Sequence, residues 1–435
     1  MTVLLMAAMA LSFWDKAVLG LAAVPIMDEL KLSNVTYGAA SSSFYLLFSV
    51  AAVLVGLMVN KVRSKWVFVV LALLWAVAQG SVLVTSTVAA LFASRILIGA
   101  AEGPANPLAV HTVHGWFPAE RRSLPTALTQ IAHGIGALTA APILTWVIVE
   151  HGWRWGFFTT AALSVVWALV WAAFGKDRPA ETPSAPAAEG SDATGGTAGL
   201  DGERIPYRRI LLSRTFVGAV AMTFAAAWSL AVVIAWLVPF FIKVAGFSAS
   251  AAGNMVIPPN IVSIVAIIVL GALSGRLMAR GVSERFPLGV LTGVTVTVGG
   301  ACAVLVPHLG NAFLLICGVT LAAGLPMVAM TSAFNAVGRL CPPGQRGAVM
   351  GTLNGLYSLG SIAGPFAMGL ILDASSDAAS GFGLGFTITG LIVIAGGVCA
   401  AFFVNPSGDR SRLAAHATAL QRAGIDARPL KQTGV

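Results

Sequence analysis

Residues 176–209 read KDRPAETPSAPAAEGSDATGGTAGLDGERIPYRR, and this stretch divides the chain. It is rich in Ala, Pro, Gly, Ser and Thr and too polar to enter lipid, so it reads as a flexible linker. On both sides of it apolar runs recur, from the second residue almost to residue 404. A helix needs roughly 20 apolar residues to cross the hydrocarbon layer. The runs predict helices over 2–27, 37–60, 66–86, 88–113, 122–149 and 155–175, then over 215–242, 249–275, 286–307, 310–337, 346–372 and 382–404. The expected architecture is all-α: an N-terminal six-helix bundle (1–175), the linker (176–213), a C-terminal six-helix bundle (214–404) and a tail (405–435).

Composition agrees with a lipid environment. Of 435 residues 57% are apolar and only 10% charged, which is too little polar surface for a water-soluble domain of this size. The first run begins at Met1 and carries Asp15 and Lys16 in its middle, unlike a cleaved signal, and is read as a retained helix. Cys302, Cys317, Cys341 and Cys399 show no CxxC spacing, so neither a metal site nor a disulfide framework is expected. The net charge of +9 could suggest nucleic acid, but the placement of the cations argues otherwise. With these helices, 21 of the 26 Lys and Arg residues fall on the linker's side of the membrane, while Lys31, Arg154 and Lys243 fall on the other. By the positive-inside rule the linker side is cytoplasmic and both termini lie there. The Ala- and Gly-rich composition suggests a bacterial plasma membrane.

The halves carry traces of a repeat. Gly56 to Lys65 (GLMVNKVRSK) and Gly271 to Arg280 (GALSGRLMAR) each follow the second helix of a half, starting with Gly and placing a basic residue five positions later. Two similar bundles facing each other across a central cavity are the expected outcome. The first of these loops resembles the Gly-x-x-x-Asp-Arg-x-Gly-x-Arg-Arg signature of the major facilitator superfamily, with Asn60, Arg63 and Trp66 as departures. More specific are RILIGAAEGPANP at 95–107, WFPAERR at 116–122, HGIGALTAAPILTW at 133–146, GWRWGFF at 152–158 and RLCPPGQRGAVMGTLNGLYSLGSIAGP at 339–365. These resemble the anion:cation symporter family within that superfamily, which includes bacterial sugar-acid and aromatic-acid proton symporters and sialin-like carriers.

Of 43 charged residues only Asp15, Lys16, Arg95 and Glu102 fall deep within predicted helices, all in the first bundle. A charge at bilayer depth costs at least roughly 2.5–3.5 kcal/mol, so such groups pair or line a wet cavity. Arg95 and Glu102 are seven residues apart and share a helix face, about 10 Å apart along the axis. Asp15 and Lys16 point about 100° apart and must serve different purposes. With helices one and four adjacent, Arg95 is expected to hold Asp15 or Glu102 ionised. Low dielectric favours a neutral carboxyl and a nearby guanidinium an ionised one, a balance that suits a proton carrier. The resemblance implies proton sites at Asp15 and Glu102, coupling through Arg95, and capture of the substrate carboxylate by Lys16. The family usually has arginine there, and lysine offers a point charge in place of a two-pronged grip.

The second bundle holds no central charge and is expected to contribute dipoles, hydroxyls and aromatic faces. Asn354 matches a family position that contacts substrate, and Tyr357 and Ser358 follow within a turn. Asn260, Thr331, Ser332 and Asn335 are read as interhelical hydrogen-bonding residues. In SSFYLLF at 42–48, Tyr45 is a candidate contact, and Phe48 stands where the family commonly has a substrate-facing tyrosine. With Trp14, Trp228 and Trp236, this tilts the expected pocket toward an apolar or aromatic carboxylate. His133 could titrate near neutral pH or bond the substrate.

The expected function is proton-coupled symport of an organic anion by alternating access, by a monomer, with the proton as coupling ion and no cofactor. Anion exchange or proton-driven efflux is the alternative within the class, and a transport-like sensor the alternative outside it. No GxGxxG, P-loop, HExxH or Ser-His-Asp arrangement is present to suggest an enzyme.

Overall fold

A chain in lipid must pair every backbone N–H and C=O within its own segment, and the apolar runs do so as helices. The computed structural model describes residues 1–58, 63–85, 87–117, 121, 123–176 and 205–422. Among these, twelve helices are long and apolar enough to span a membrane. The first six are α1 (Thr2–Leu21), α2 (Asn34–Val55), α3 (Ser64–Val84), α4 (Val88–Val113), α5 (Leu124–His151) and α6 (Trp153–Phe174). The second six are α7 (Arg214–Lys243), α8 (Ala249–Ala279), α9 (Phe286–His308), α10 (Ala312–Leu340), α11 (Arg346–Ala374) and α12 (Ala378–Phe403). Large apolar side chains such as Val77, Leu169, Ile268 and Phe402 stand exposed on the outside. That surface is costly in water and suited to acyl chains.

Two departures from the sequence expectation have local causes. The first helix ends at Leu21, and a short helix, Ala23–Leu30, continues at a bend. Pro25 lacks an N–H for the carbonyl of Leu21 and its ring crowds it, so the helix breaks just before. α4 is likewise interrupted at Gly103–Pro104, immediately after Glu102.

The halves repeat each other's packing. In the first, α1 lies along α5, α2 on α4 and α3 on α6; in the second, α7 lies along α11, α8 on α10 and α9 on α12. Across the interface α1 meets α7, α2 meets α11 and α5 meets α8, the pairing that a two-fold relation between bundles produces.

Contact between the bundles is closest at the end away from the linker. There the Asp373 carboxylate of α11 accepts from the Asn34 backbone and side-chain amides (3.0 and 2.7 Å) and from the Val35 amide (2.9 Å). The Tyr37 hydroxyl lies 3.3 Å from the Leu19 carbonyl and 3.0 Å from that of Ala235, tying α2 to both α1 and α7. Gly38 sits so near the Pro365 carbonyl that any Cβ would overlap it. Toward the linker the bundles part: at Gly347, Gly351 and Gly355, one turn apart on α11, no described residue comes within 4 Å of where a Cβ would stand.

Most of the predicted linker, residues 177–204, lies outside the described residues. Its last part is packed and not free. Ile205 is buried, and its amide and carbonyl are both bonded by the Gln345 side chain (3.0 and 2.7 Å). The start of the tail is packed as well. Residues 406–422 form a helix, α13 (Pro406–Arg422), whose buried Asp409 accepts from the backbone amide and hydroxyl of Thr215 at the start of α7, both at 2.8 Å. Residues 423–435 lie outside the described residues.

Candidate functional site

Two side-chain clusters meet midway along the first bundle, held by helices that approach unusually closely. Gly99 and Gly103 of α4 face the carbonyls of Phe44 and Phe48 on α2, where a Cβ would collide with backbone. This contact brings Glu102 up to α1 and sets two phenyl rings beside it.

The first cluster is Lys16, Ser12 and Glu102. The Lys16 ammonium lies 2.8 Å from Glu102 Oε2 and donates to Ser12 Oγ at 3.0 Å, and Ser12 donates to the same Oε2 at 2.8 Å. Glu102 is 2% exposed, and its Oε1 has no hydrogen-bond partner among the described residues. Lys16 keeps 18% of its side chain exposed, and its ammonium lies 5.8 and 5.7 Å from the ring centres of Phe44 and Phe48. A buried carboxylate with one lone oxygen and a cation reachable from a cavity can exchange one negative partner for another.

The second cluster is Asp15, Gln79 and Arg95, each 1% exposed or less. Arg95 donates to Gln79 Oε1 at 2.7 Å and to the Asp15 main-chain carbonyl at 3.3 Å, with its guanidinium 5.6 Å from the centre of the Phe157 ring. Gln79 Nε2 donates to Asp15 Oδ1 at 2.8 Å. Among the described residues, Asp15 Oδ2 and Arg95 Nε have no hydrogen-bond partner.

The four predicted charges therefore do converge, but their pairing differs from expectation. Arg95 contacts neither carboxylate group directly; it bonds an amide and a main-chain oxygen. Lys16, expected to await the substrate, is occupied by Glu102. Ser12 and Gln79 were not singled out from the sequence. The signal was present as isolated polar residues in apolar runs, but a search restricted to charge passes over them.

A cavity lies beside these clusters, lined by Lys16, Ser41, Phe44, Tyr45 and Arg95 from the first bundle and by residues of α7 and α11 including Ile234 and Pro365. Its free space of about 20 Å³ suits a water molecule and not an organic anion. Tyr45 thus lines the cavity, and Phe48 faces Lys16. Asn354 and Ser358 instead meet α2 at the interface: the Ser358 and Ser49 hydroxyls are 2.6 Å apart, and Asn354 Nδ2 is 3.5 Å from Ser49 Oγ. Tyr357 is half-buried within the same turn of α11, and His133 is half-buried on α5; neither lines the cavity.

None of the three predicted tryptophans is among the residues lining this cavity. Trp236 is buried, donates to the Pro365 carbonyl at 3.1 Å and packs edge-on against Tyr37, as a residue of the bundle interface. Trp14 and Trp228 spend their indole N–H groups on Thr139 and Thr389. The aromatic faces near the cation belong to Phe44 and Phe48. Ser332 accepts from Thr292 at 2.9 Å, a bond between α9 and α10, whereas Asn260 donates to the Val256 carbonyl one turn back in its own helix at 2.8 Å.

Comparison with known proteins adds the lineage. The sequence model described as Major Facilitator Superfamily matches residues 5–337. The chain is 25% identical over 395 residues to a hexuronate transporter of Bacillus subtilis, with 89% of each chain covered. It is 26% identical over 403 residues to a protein of Cupriavidus necator named as a probable sulfoacetate transporter, with 91% of each covered. Among solved structures, a bacterial homolog of the human lysosomal transporter Spinster, inward-facing and unoccupied, superposes with a TM-score of 0.75 at 17% identity, covering 95% of this chain and 97% of that one. At that identity the likeness concerns the fold.

Proposed function

The chain belongs to the Major Facilitator Superfamily, a family of membrane carriers and not enzymes, and from that premise we propose that it is a proton-coupled symporter of a small organic carboxylate. The observation that carries this reading is the Lys16–Glu102 pair at 2.8 Å beside the cavity. Protonating Glu102 removes the charge that holds Lys16, and the freed ammonium then attracts the carboxylate of a substrate. Substrate and proton thus enter together, each making the other's binding favourable. Asp15 is the second proton site, with Arg95 fixed beside it. The phenyl rings of Phe44 and Phe48 favour a carboxylate with an apolar or aromatic body, while relatives named for hexuronate and sulfoacetate transport support an organic anion in general.

Translocation follows by rocking of the bundles. The cavity is too small for an organic anion while the ends away from the linker are sealed, so loading requires the interface to open. The glycine face of α11 toward the linker leaves room for the opposite closure. In the bacterial plasma membrane, with the linker and both termini cytoplasmic, the proton gradient would drive uptake.

The test is uptake by the purified chain in proteoliposomes, screening sugar acids and aromatic acids with and without an inward proton gradient. Gradient-driven accumulation of a carboxylate is expected. Exchange that is stimulated from the far side but never driven by protons would overturn symport, and binding without translocation would point to a sensor.

A further inference from the structure

Gln79 is uncharged, yet it stands between the two groups of the second cluster and is completely buried. Resting on the coupling reading above, we propose that Gln79 is a positioning residue that ties the protonation of Asp15 to the placement of Arg95.

Hydrogen-bond polarity fixes how the amide lies. A guanidinium can only donate, so the amide must turn its oxygen to Arg95 and its nitrogen to Asp15. The observed contacts obey this: Arg95 to Oε1 at 2.7 Å, and Nε2 to Asp15 Oδ1 at 2.8 Å, with the Asp15 main-chain oxygen 3.4 Å from the same nitrogen. Asp15 Oδ1 is thereby fixed as an acceptor. The proton goes to Oδ2, the oxygen without a partner.

Arg95, Glu102 and Lys16 are the charged groups whose fields reach Asp15. Among the described residues, however, the hydrogen bond to its carboxyl group comes from Gln79 alone. When Asp15 ionises, its bond to Nε2 becomes charge-assisted and polarises the amide, strengthening the Arg95 bond at the other end. When Asp15 is protonated both bonds weaken together, and Arg95, whose Nε is already unpaired, is released to repack as the bundles move.

Two substitutions of the full-length chain test this. Gln79→Glu keeps an acceptor for Arg95 but, ionised beside that guanidinium, presents no donor to Asp15; Gln79→Leu removes both bonds. In proteoliposomes, gradient-driven accumulation is compared with counterflow for glucuronate and benzoate as probes, for the wild type and both variants. Accumulation is expected to fall by about tenfold or more relative to any loss of counterflow, the scale of one charge-assisted hydrogen bond. A residue that only braces α3 would lower both activities in parallel, and Gln79→Glu would retain the wild-type ratio. Either of those results overturns the proposal while leaving symport intact. A wild type that accumulates neither probe under a gradient refutes the symport reading itself, and this inference with it. Should Gln79→Leu fail to fold, the isosteric Gln79→Glu decides alone.

Discussion

Glu102→Gln offers the sharpest test of how anion and proton are linked. In the wild type a substrate carboxylate must displace Glu102, whose Oε2 lies 2.8 Å from both Lys16 and Ser12. A charge-assisted hydrogen bond is worth about 1.5–3 kcal/mol, and a neutral one about 0.5–1.5 kcal/mol. Replacing the carboxylate by an amide of the same shape therefore lowers the competition at Lys16 by about 1–1.5 kcal/mol, close to tenfold in affinity. The gain is confined to alkaline pH, where Glu102 of the wild type is ionised and holds Lys16. At acid pH the wild-type residue is protonated and the two proteins converge. Titration calorimetry of the purified proteins with a transported carboxylate, at both pH extremes, measures this directly. The variant should bind about tenfold tighter than wild type at alkaline pH, with nearly flat pH dependence, and should lose gradient-driven accumulation. Equal affinities at alkaline pH, or retained proton-driven uptake in Glu102→Gln, would remove Glu102 from the coupling.

Three further outcomes follow from the geometry. Asp373→Asn weakens three hydrogen bonds that close the bundles at the end away from the linker, at a cost of about 1 kcal/mol or more. Cysteines placed on α2 and α11 near that end should then label severalfold faster. Asp409→Ala removes a buried cap from the start of α7, at a cost of about 1–2 kcal/mol, and limited proteolysis should release the tail helix sooner than in the wild type. Glu29 is held below the usual carboxylate range by hydrogen bonds from Arg154 and Trp153. Its contribution to stability is therefore present above the unfolded-state value and is lost as pH falls through the depressed one. Glu29→Gln should lower the melting temperature slightly at neutral pH and not in strong acid, the small size reflecting solvent screening of an exposed pair.

The sequence by itself determined the helices, their division around residues 176–209 and the four charges set within the first bundle. Each of these depends on partition between lipid and water, a property of segments that hydropathy and charge placement record along one dimension. The bend before Pro25 was missed by hydropathy, which does not record a missing N–H. Partners were another matter. Arg95 and Glu102 share a helix face, which suggested that the arginine serves a carboxylate, yet the depth at which α1 crosses α4 gives Glu102 to Lys16. Arg95 is left to an amide on α3. That assignment turns on shifts of a few ångströms, set by the contacts of Gly99 and Gly103 with α2, and no spacing within one helix encodes them. Gln79 and Ser12 became visible for the same reason: a neutral polar residue in an apolar run has no meaning until the group it faces is known, and only the tertiary structure supplied that group.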